Sequence, residues 1–166
     1  MTRDIAKKLK YEKPSCIFAK FFPAITGLTG KMSASDASTT IYLSDTPKQV
    51  ANKIKKHAFS GGGVTKEDQE RDGANLKIDV PYQFLEFFFE DDEELARIGE
   101  EYSSGKMMTG EIKKICAEAI AGFITEYQER RANITDEDIE LFTSVRQIDP
   151  MSSKLPPKPE KKKEVS

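Results

Sequence analysis

A mainly α-helical chain, its body an antiparallel helical bundle, is predicted by three features of the sequence. Between Thr109 and Arg131, residues Ile112, Ile115, Cys116, Ala119, Ile120, Phe123, Ile124 and Tyr127 recur at three- and four-residue spacing, the period of one helix face. Thr46-Pro47-Lys48-Gln49 joins an N-cap threonine, a proline suited to the first turn and a glutamine at the capping-box position. In the aromatic run Tyr82–Phe89, the polar residues Gln83, Glu86 and Glu90 return at three and four. That spacing favours a helix buried on most sides over the competing assignment, a buried strand.

The elements follow in order. Residues 1–12 favour helix, with Ile5 and Leu9 one turn apart, and Pro14 stops the segment. Ser15-Cys16-Ile17-Phe18-Ala19 reads as a short strand or extended stretch. Phe21-Phe22-Pro23 then leads into a loop that Gly27 and Gly30 allow to bend. Ile41-Tyr42-Leu43 is short and apolar. The helix opened by Thr46 puts Val50, Ala51, Ile54 and Ala58 on one face, and Gly61-Gly62-Gly63 is the expected stop. Residues 60–78 read as a loop with one turn of helix.

Pro81 suits the start of the aromatic helix. Glu90-Asp91-Asp92-Glu93-Glu94 is expected to be the solvated start of the next one, where the macrodipole favours negative charge, and no metal site is expected there. Leu95, Ile98 and Tyr102 form that helix's stripe, closed by Ser103-Ser104-Gly105. Glu111 and Arg130-Arg131 complement the dipole of the long helix at its two ends. Asn133 and Thr135 are candidate caps for a last helix through Ile139, Leu141 and Phe142. From residue 149 onward, prolines alternate with lysines and no apolar period survives, so 149–166 is expected to be a disordered basic tail.

Composition bounds the function. Hydrophobic residues make up 37% and charged residues 33% of the 166 residues, enough for a core under a very polar surface. Lys+Arg total 26 against 28 Asp+Glu, a net charge of −2, so any RNA contact has to come from a local patch. No run of 18 apolar residues is present, so no membrane span is expected, and the N-terminus shows no secretory signal. Cys16 and Cys116 sit among apolar neighbours and are expected to be buried thiols in a reducing compartment.

Lys31-Met32-Ser33-Ala34-Ser35 is the stretch with the most chemistry in it. A lysine ammonium is a compact charge able to follow a pyrophosphate as negative charge builds on it. Two serine hydroxyls and backbone N–H groups supply short donors to the same oxygens. A charge-assisted hydrogen bond of this kind contributes roughly 1.5–3 kcal/mol. Formed mainly in the transition state, it raises the rate rather than merely holding the nucleotide.

The same five residues resemble the phosphate-handling loop of class I aminoacyl-tRNA synthetases. Lys56-His57-Ala58-Phe59-Ser60-Gly61-Gly62, Gly73–Val80, Phe87–Asp92 and Tyr102–Lys114 are spaced as in one branch of that class. Together they resemble the C-terminal half of eukaryotic-type tryptophanyl-tRNA synthetases, from Met1 to about Arg146.

This resemblance implies three parts. Residues 1–45 would be the end of a Rossmann-type catalytic domain, its closing edge including the loop. Residues 46–148 would be a helical anticodon-binding domain, and 149–166 the tail. It implies tryptophan, ATP (with Mg2+) and tRNA(Trp) as substrates, and a cytoplasmic setting. Lys31 would stabilise the leaving pyrophosphate, while Met32, Ser33, Ala34 and Ser35 would shape the loop and contact the nucleotide. Lys53, Lys55, Lys56, His57, Lys66 and Arg71 are the candidate nucleic-acid contacts, with His57 structural or RNA-facing rather than catalytic. In the family the tryptophan pocket, the His-Ile-Gly-His-type motif and most of the sheet lie upstream of the position of Met1. The isolated chain is therefore expected to be inactive and to need that N-terminal half. The family's homodimer contacts come largely from the same half, so a dimer is not expected of this chain alone. Gly63-Val64 stand where the family commonly has Arg-Asp, so this chain departs there from the pattern that would imply charged base recognition.

Overall fold

The structure is a computed structural model that describes residues 1–145 except Phe21, Lys31 and Ala34; the expected disordered tail lies outside the described residues. The described residues form seven helices and no strand: α1 (Thr2–Lys8), α2 (Pro47–His57), α3 (Lys66–Asp72), α4 (Val80–Phe88), α5 (Asp92–Ser103), α6 (Thr109–Ala132) and α7 (Asp136–Thr143). The chain divides into one compact unit over Met1–Arg130 and a second beginning at Arg131.

In the first unit, α1 buries only Ala6, and both Ile5 and Leu9 are exposed. No strand forms at Ser15–Ala19, where Ile17 is 95% and Phe18 92% exposed. A strand needs a neighbour to take its backbone hydrogen bonds, and no sheet exists among the described residues. Cys16 in this segment is exposed, contrary to the expectation of two buried thiols, while Cys116 is buried in α6. The chain joins the core at Phe22, which stacks on Phe84 at 4.4 Å between ring centroids and meets Phe87 edge-on at 5.0 Å. Lys20 pairs with Glu86 on the same side.

The α2 start is the expected capping box. Thr46 accepts from the Gln49 N–H, and the Gln49 side chain accepts from the Thr46 N–H. Val50, Ile54 and Ala58 are buried, but Ala51 is exposed, so the buried stripe is narrower than the sequence suggested. Nor do the glycines stop α2. It ends at His57, after which the Ala58 N–H caps Ile54 and the Phe59 N–H donates to the Ile25 carbonyl at 2.9 Å. Ile25 is fully buried in the turn before the expected phosphate loop, and that long-range bond pulls the chain out of the helix.

Residues 66–72 form a longer helix than the expected single turn. Its hold is Gln69, only 2% exposed, whose amide donates to the Tyr102 and Met107 carbonyls and accepts from the Gly63 N–H. The aromatic run is helical as expected, capped by Asp79, although Phe87 is partly exposed and Phe89 lies past the end. The acidic run starts α5, where the Asp91 carboxylate accepts from the N–H groups of Glu93 and Glu94 at 3.0 Å. In α6, Ile112, Cys116, Ala117, Ile120 and Ile124 are buried, while Phe123 and Tyr127 stay partly exposed. The core gathers these with Ile25, Val50, Ile54, Phe84, Leu85, Ile98 and Tyr102. Each large apolar side chain so buried contributes about 1.5–3 kcal/mol.

In the second unit, Thr135 rather than Asn133 caps α7, through a capping box with Asp138. Ile139, Leu141 and Phe142 are more than half exposed. Among the described residues no helix is long and apolar enough to cross a membrane.

Candidate functional site

The segment around the expected phosphate loop is held by its own polar groups. Of its five residues, Met32, Ser33 and Ser35 are described; Lys31 and Ala34 lie outside the described residues. The Ser33 and Ser35 hydroxyls converge to 2.7 Å in an exposed turn. The Thr40 hydroxyl donates to the Ser33 carbonyl at 2.6 Å. Asp36 closes the turn by accepting from the N–H and hydroxyl of Ser38, bonds that hold its carboxyl below the ordinary range. Met32 is half-buried and lines a small apolar cavity of about 110 Å³ with Phe22, Tyr42, Phe88, Phe123 and Ile124.

The candidate nucleic-acid residues do not form one face. Lys53, Lys56 and His57 border a shallow hollow of about 220 Å³ together with Ser38 and Asn52. Lys53 is turned inward and already committed. Its ammonium donates to Thr40 O at 2.6 Å and Asp45 Oδ2 at 2.7 Å, and lies 4.8 Å from the Tyr42 ring centre. Lys55 belongs instead to a groove of about 520 Å³ between α2 and α6, with a floor of Ala51, Ala117 and Ala121. Lys113 and Lys114 share its rim, and burial lowers the Lys113 ammonium pKa. The sequence reading missed both lysines; their basic pair at the α6 start was a visible signal, but the groove exists only once α2 packs on α6.

Lys66 borders a third hollow, of about 320 Å³, with Gly63, Val64, Thr109 and Gly110. It also pairs with Glu70 at 3.3 Å on the surface. Arg71 is away from all of these. Its guanidinium is bound to Asp72 at 2.6 Å and Asp68 at 3.0 Å, which raises its pKa and leaves its charge neutralised on its own helix.

Beneath the third hollow lies a polar network that the sequence reading did not single out. Asp79 is fully buried and accepts from the Tyr82 N–H at 2.8 Å, the Gly61 N–H at 2.9 Å and the Tyr102 hydroxyl at 2.9 Å. The Ser60 hydroxyl lies 3.0 Å from that of Tyr102 and accepts from the Gly62 N–H. Gly63 needs its missing side chain: a Cβ there would come within 2.4 Å of the Gln69 nitrogen. The glycine run is thus pinned against α3, α4 and α5 and held beside the N-terminus of the 24-residue α6. Among the described residues no group of His, Cys, Asp or Glu is arranged to hold a metal ion.

A helical body with local lysine clusters, preceded by a serine-bearing loop, agrees with the comparison to known proteins. Residues 1–125 match the family of class I tRNA synthetases specific for tryptophan and tyrosine, and the chain belongs to that family. Within it, the similarity is to the tryptophan branch. The chain is 55% identical over 148 residues to the cytoplasmic tryptophan–tRNA ligase of Dictyostelium discoideum, covering 89% of this chain and 37% of that protein. It is 45% identical to the human cytoplasmic enzyme, covering 89% of this chain and 31% of that one. The solved tryptophanyl-tRNA synthetase of Giardia lamblia superimposes with a TM-score of 0.82 at 42% identity, over 87% of this chain and 36% of that one. The chain therefore spans about a third of the length of the curated relatives it matches.

Proposed function

We propose that this chain acts as the C-terminal part of a tryptophan–tRNA ligase, which joins tryptophan to ATP as an adenylate and passes it to tRNA(Trp). The observation that carries the reading is the Lys31–Ser35 sequence within a chain 55% identical to such a ligase. The convergence of the Ser33 and Ser35 hydroxyls supports it, since an anion that displaced their mutual hydrogen bond would receive both as donors. In this reading Lys31 neutralises the charge growing on the leaving pyrophosphate. The chemistry is positioning plus electrostatics and needs no nucleophile from this chain. Mg2+ would arrive with the ATP phosphates as part of the substrate.

The three-part division belongs to the same proposal. Residues 1–45 close a Rossmann-type catalytic domain whose sheet comes from an N-terminal half, 46–148 hold the anticodon, and the chain alone is inactive. Its setting is the cytoplasm, as the names of its relatives suggest. The hollow at Gly63, Val64 and Thr109 and the lysine-rimmed α2–α6 groove favour RNA on the helical body. The test is Lys31→Ala with the chain joined to the catalytic portion its relatives carry. Adenylate formation, read by pyrophosphate exchange, is expected to fall by about two orders of magnitude or more; an unchanged rate removes the loop from the reaction.

A further inference from the structure

We propose that Lys53 is a positioning residue of the phosphate loop, acting through Thr40 and Asp45, and not an RNA contact. The inference rests on reading residues 31–35 as the loop that handles pyrophosphate. Lys53 sits on α2, yet its side chain is only 15% exposed and reaches back to the segment that leaves the loop. Two of its three donors are spent there, on the Thr40 carbonyl and on Asp45 Oδ2. From that point four further bonds spread outward. The Thr40 hydroxyl fixes the Ser33 carbonyl inside the loop, Asp45 Oδ2 accepts from the Tyr42 N–H at 2.9 Å, and Gln128 of α6 donates to the Leu43 and Asp45 carbonyls at 2.8 and 3.0 Å. The Tyr42 ring covers the ammonium.

Ser33 is thus tied through Thr40, Lys53 and Asp45 to both α2 and α6, and the loop's serines take their place from the helical body. A side chain spent in this way has little left to offer a phosphate. The alternative, a surface lysine that binds RNA, would leave its ammonium in solvent, as Lys55 and Lys56 do. Removing Lys53 also strands Asp45, which is 5% exposed, as a buried carboxylate without its cation.

The test uses Lys53→Met, which keeps the stem and removes the charge, and Thr40→Val, which removes the Ser33 tether and leaves the Lys53–Asp45 pair intact. In this chain by itself, Lys53→Met is expected to speed amide exchange at Tyr42 by about tenfold or more, while the amides of α4 and α5 keep their protection. With the chain joined to a catalytic portion, both variants are expected to raise KM for ATP in pyrophosphate exchange by about tenfold, with KM for tryptophan and the affinity for tRNA(Trp) unchanged. Loss of tRNA affinity with unchanged ATP dependence overturns the proposal in favour of an RNA contact. A uniform loss of active protein with every KM unchanged overturns it in favour of a purely structural role. If the unsubstituted joined protein shows no exchange, the proposed function fails. The Tyr42 amide then decides the anchor, and unchanged protection in Lys53→Met refutes it.

Discussion

Replacing Tyr102 with Phe removes one oxygen from the buried network under the glycine run and leaves the ring in place. The side chain is fully buried, and its hydroxyl donates to Asp79 Oδ2 at 2.9 Å. The Ser60 hydroxyl keeps a partner in the Gly62 N–H, and the 3.4 Å approach of Thr109 is long enough to contribute little. The cost is therefore mainly that of one hydrogen bond to a buried carboxylate, about 1.5–3 kcal/mol. Against a total stability of about 5–15 kcal/mol for a domain of this kind, that is a readily measured fraction. Urea unfolding followed by circular dichroism is the assay, with Tyr11→Phe as the control. Tyr11 is 73% exposed, and its variant is expected to lie within about 0.5 kcal/mol of the starting protein. A Tyr102→Phe loss below about 0.5 kcal/mol, at an unchanged urea slope, would refute the claim that Asp79 depends on this donor.

Three further outcomes are expected. Cys16 is exposed and Cys116 buried, and burial pushes the Cys116 thiol up to about 12, so a thiol reagent on the folded protein should label one cysteine quickly and the second only after denaturation. The same burial makes stability depend on alkaline pH. Tyr102 rises from an ordinary 10.0 to about 12, first through desolvation and then through Asp79 beside it, so the folded state keeps a proton that the unfolded chain gives up. Stability from Tyr102 is complete below pH 10 and is lost as pH rises toward 12; Cys116 adds a loss that begins near pH 9. A melting temperature that stays flat from pH 9 to 11.5 would contradict this. Gly73→Ala is expected to cost at least about 2 kcal/mol in the same urea assay. Gly73 holds φ +67°, and a Cβ there would lie 1.8 Å from the Ser103 carbonyl oxygen; a neutral result would show that the α3–α5 contact yields easily.

Local chemistry made most of the helical body legible. The Thr46 capping box, the acidic start of α5, the Ser103–Gly105 stop and the limits of α6 all depend on neighbours within about one helical turn, so residue order alone carries them. The family was legible for a similar reason, since the motifs that carry the resemblance, Lys31–Ser35 among them, are runs of adjacent residues.

What sequence order does not carry is which distant groups meet. The end of α2 is set by the Phe59–Ile25 hydrogen bond and not by the glycines, and α3 lasts two turns because Gln69 finds carbonyls more than thirty residues away. Ser15–Ala19 has strand-forming residues but no sheet to join among the described residues. Lys53 and Lys56 look alike in sequence, yet tertiary packing turns one toward Asp45 and leaves the other to solvent. The sequence by itself determined most of the helices, the caps of α2 and α7 and the family. Only the tertiary structure decided which lysines are free to meet a ligand, because that depends on where each ammonium finds a partner once the chain has closed.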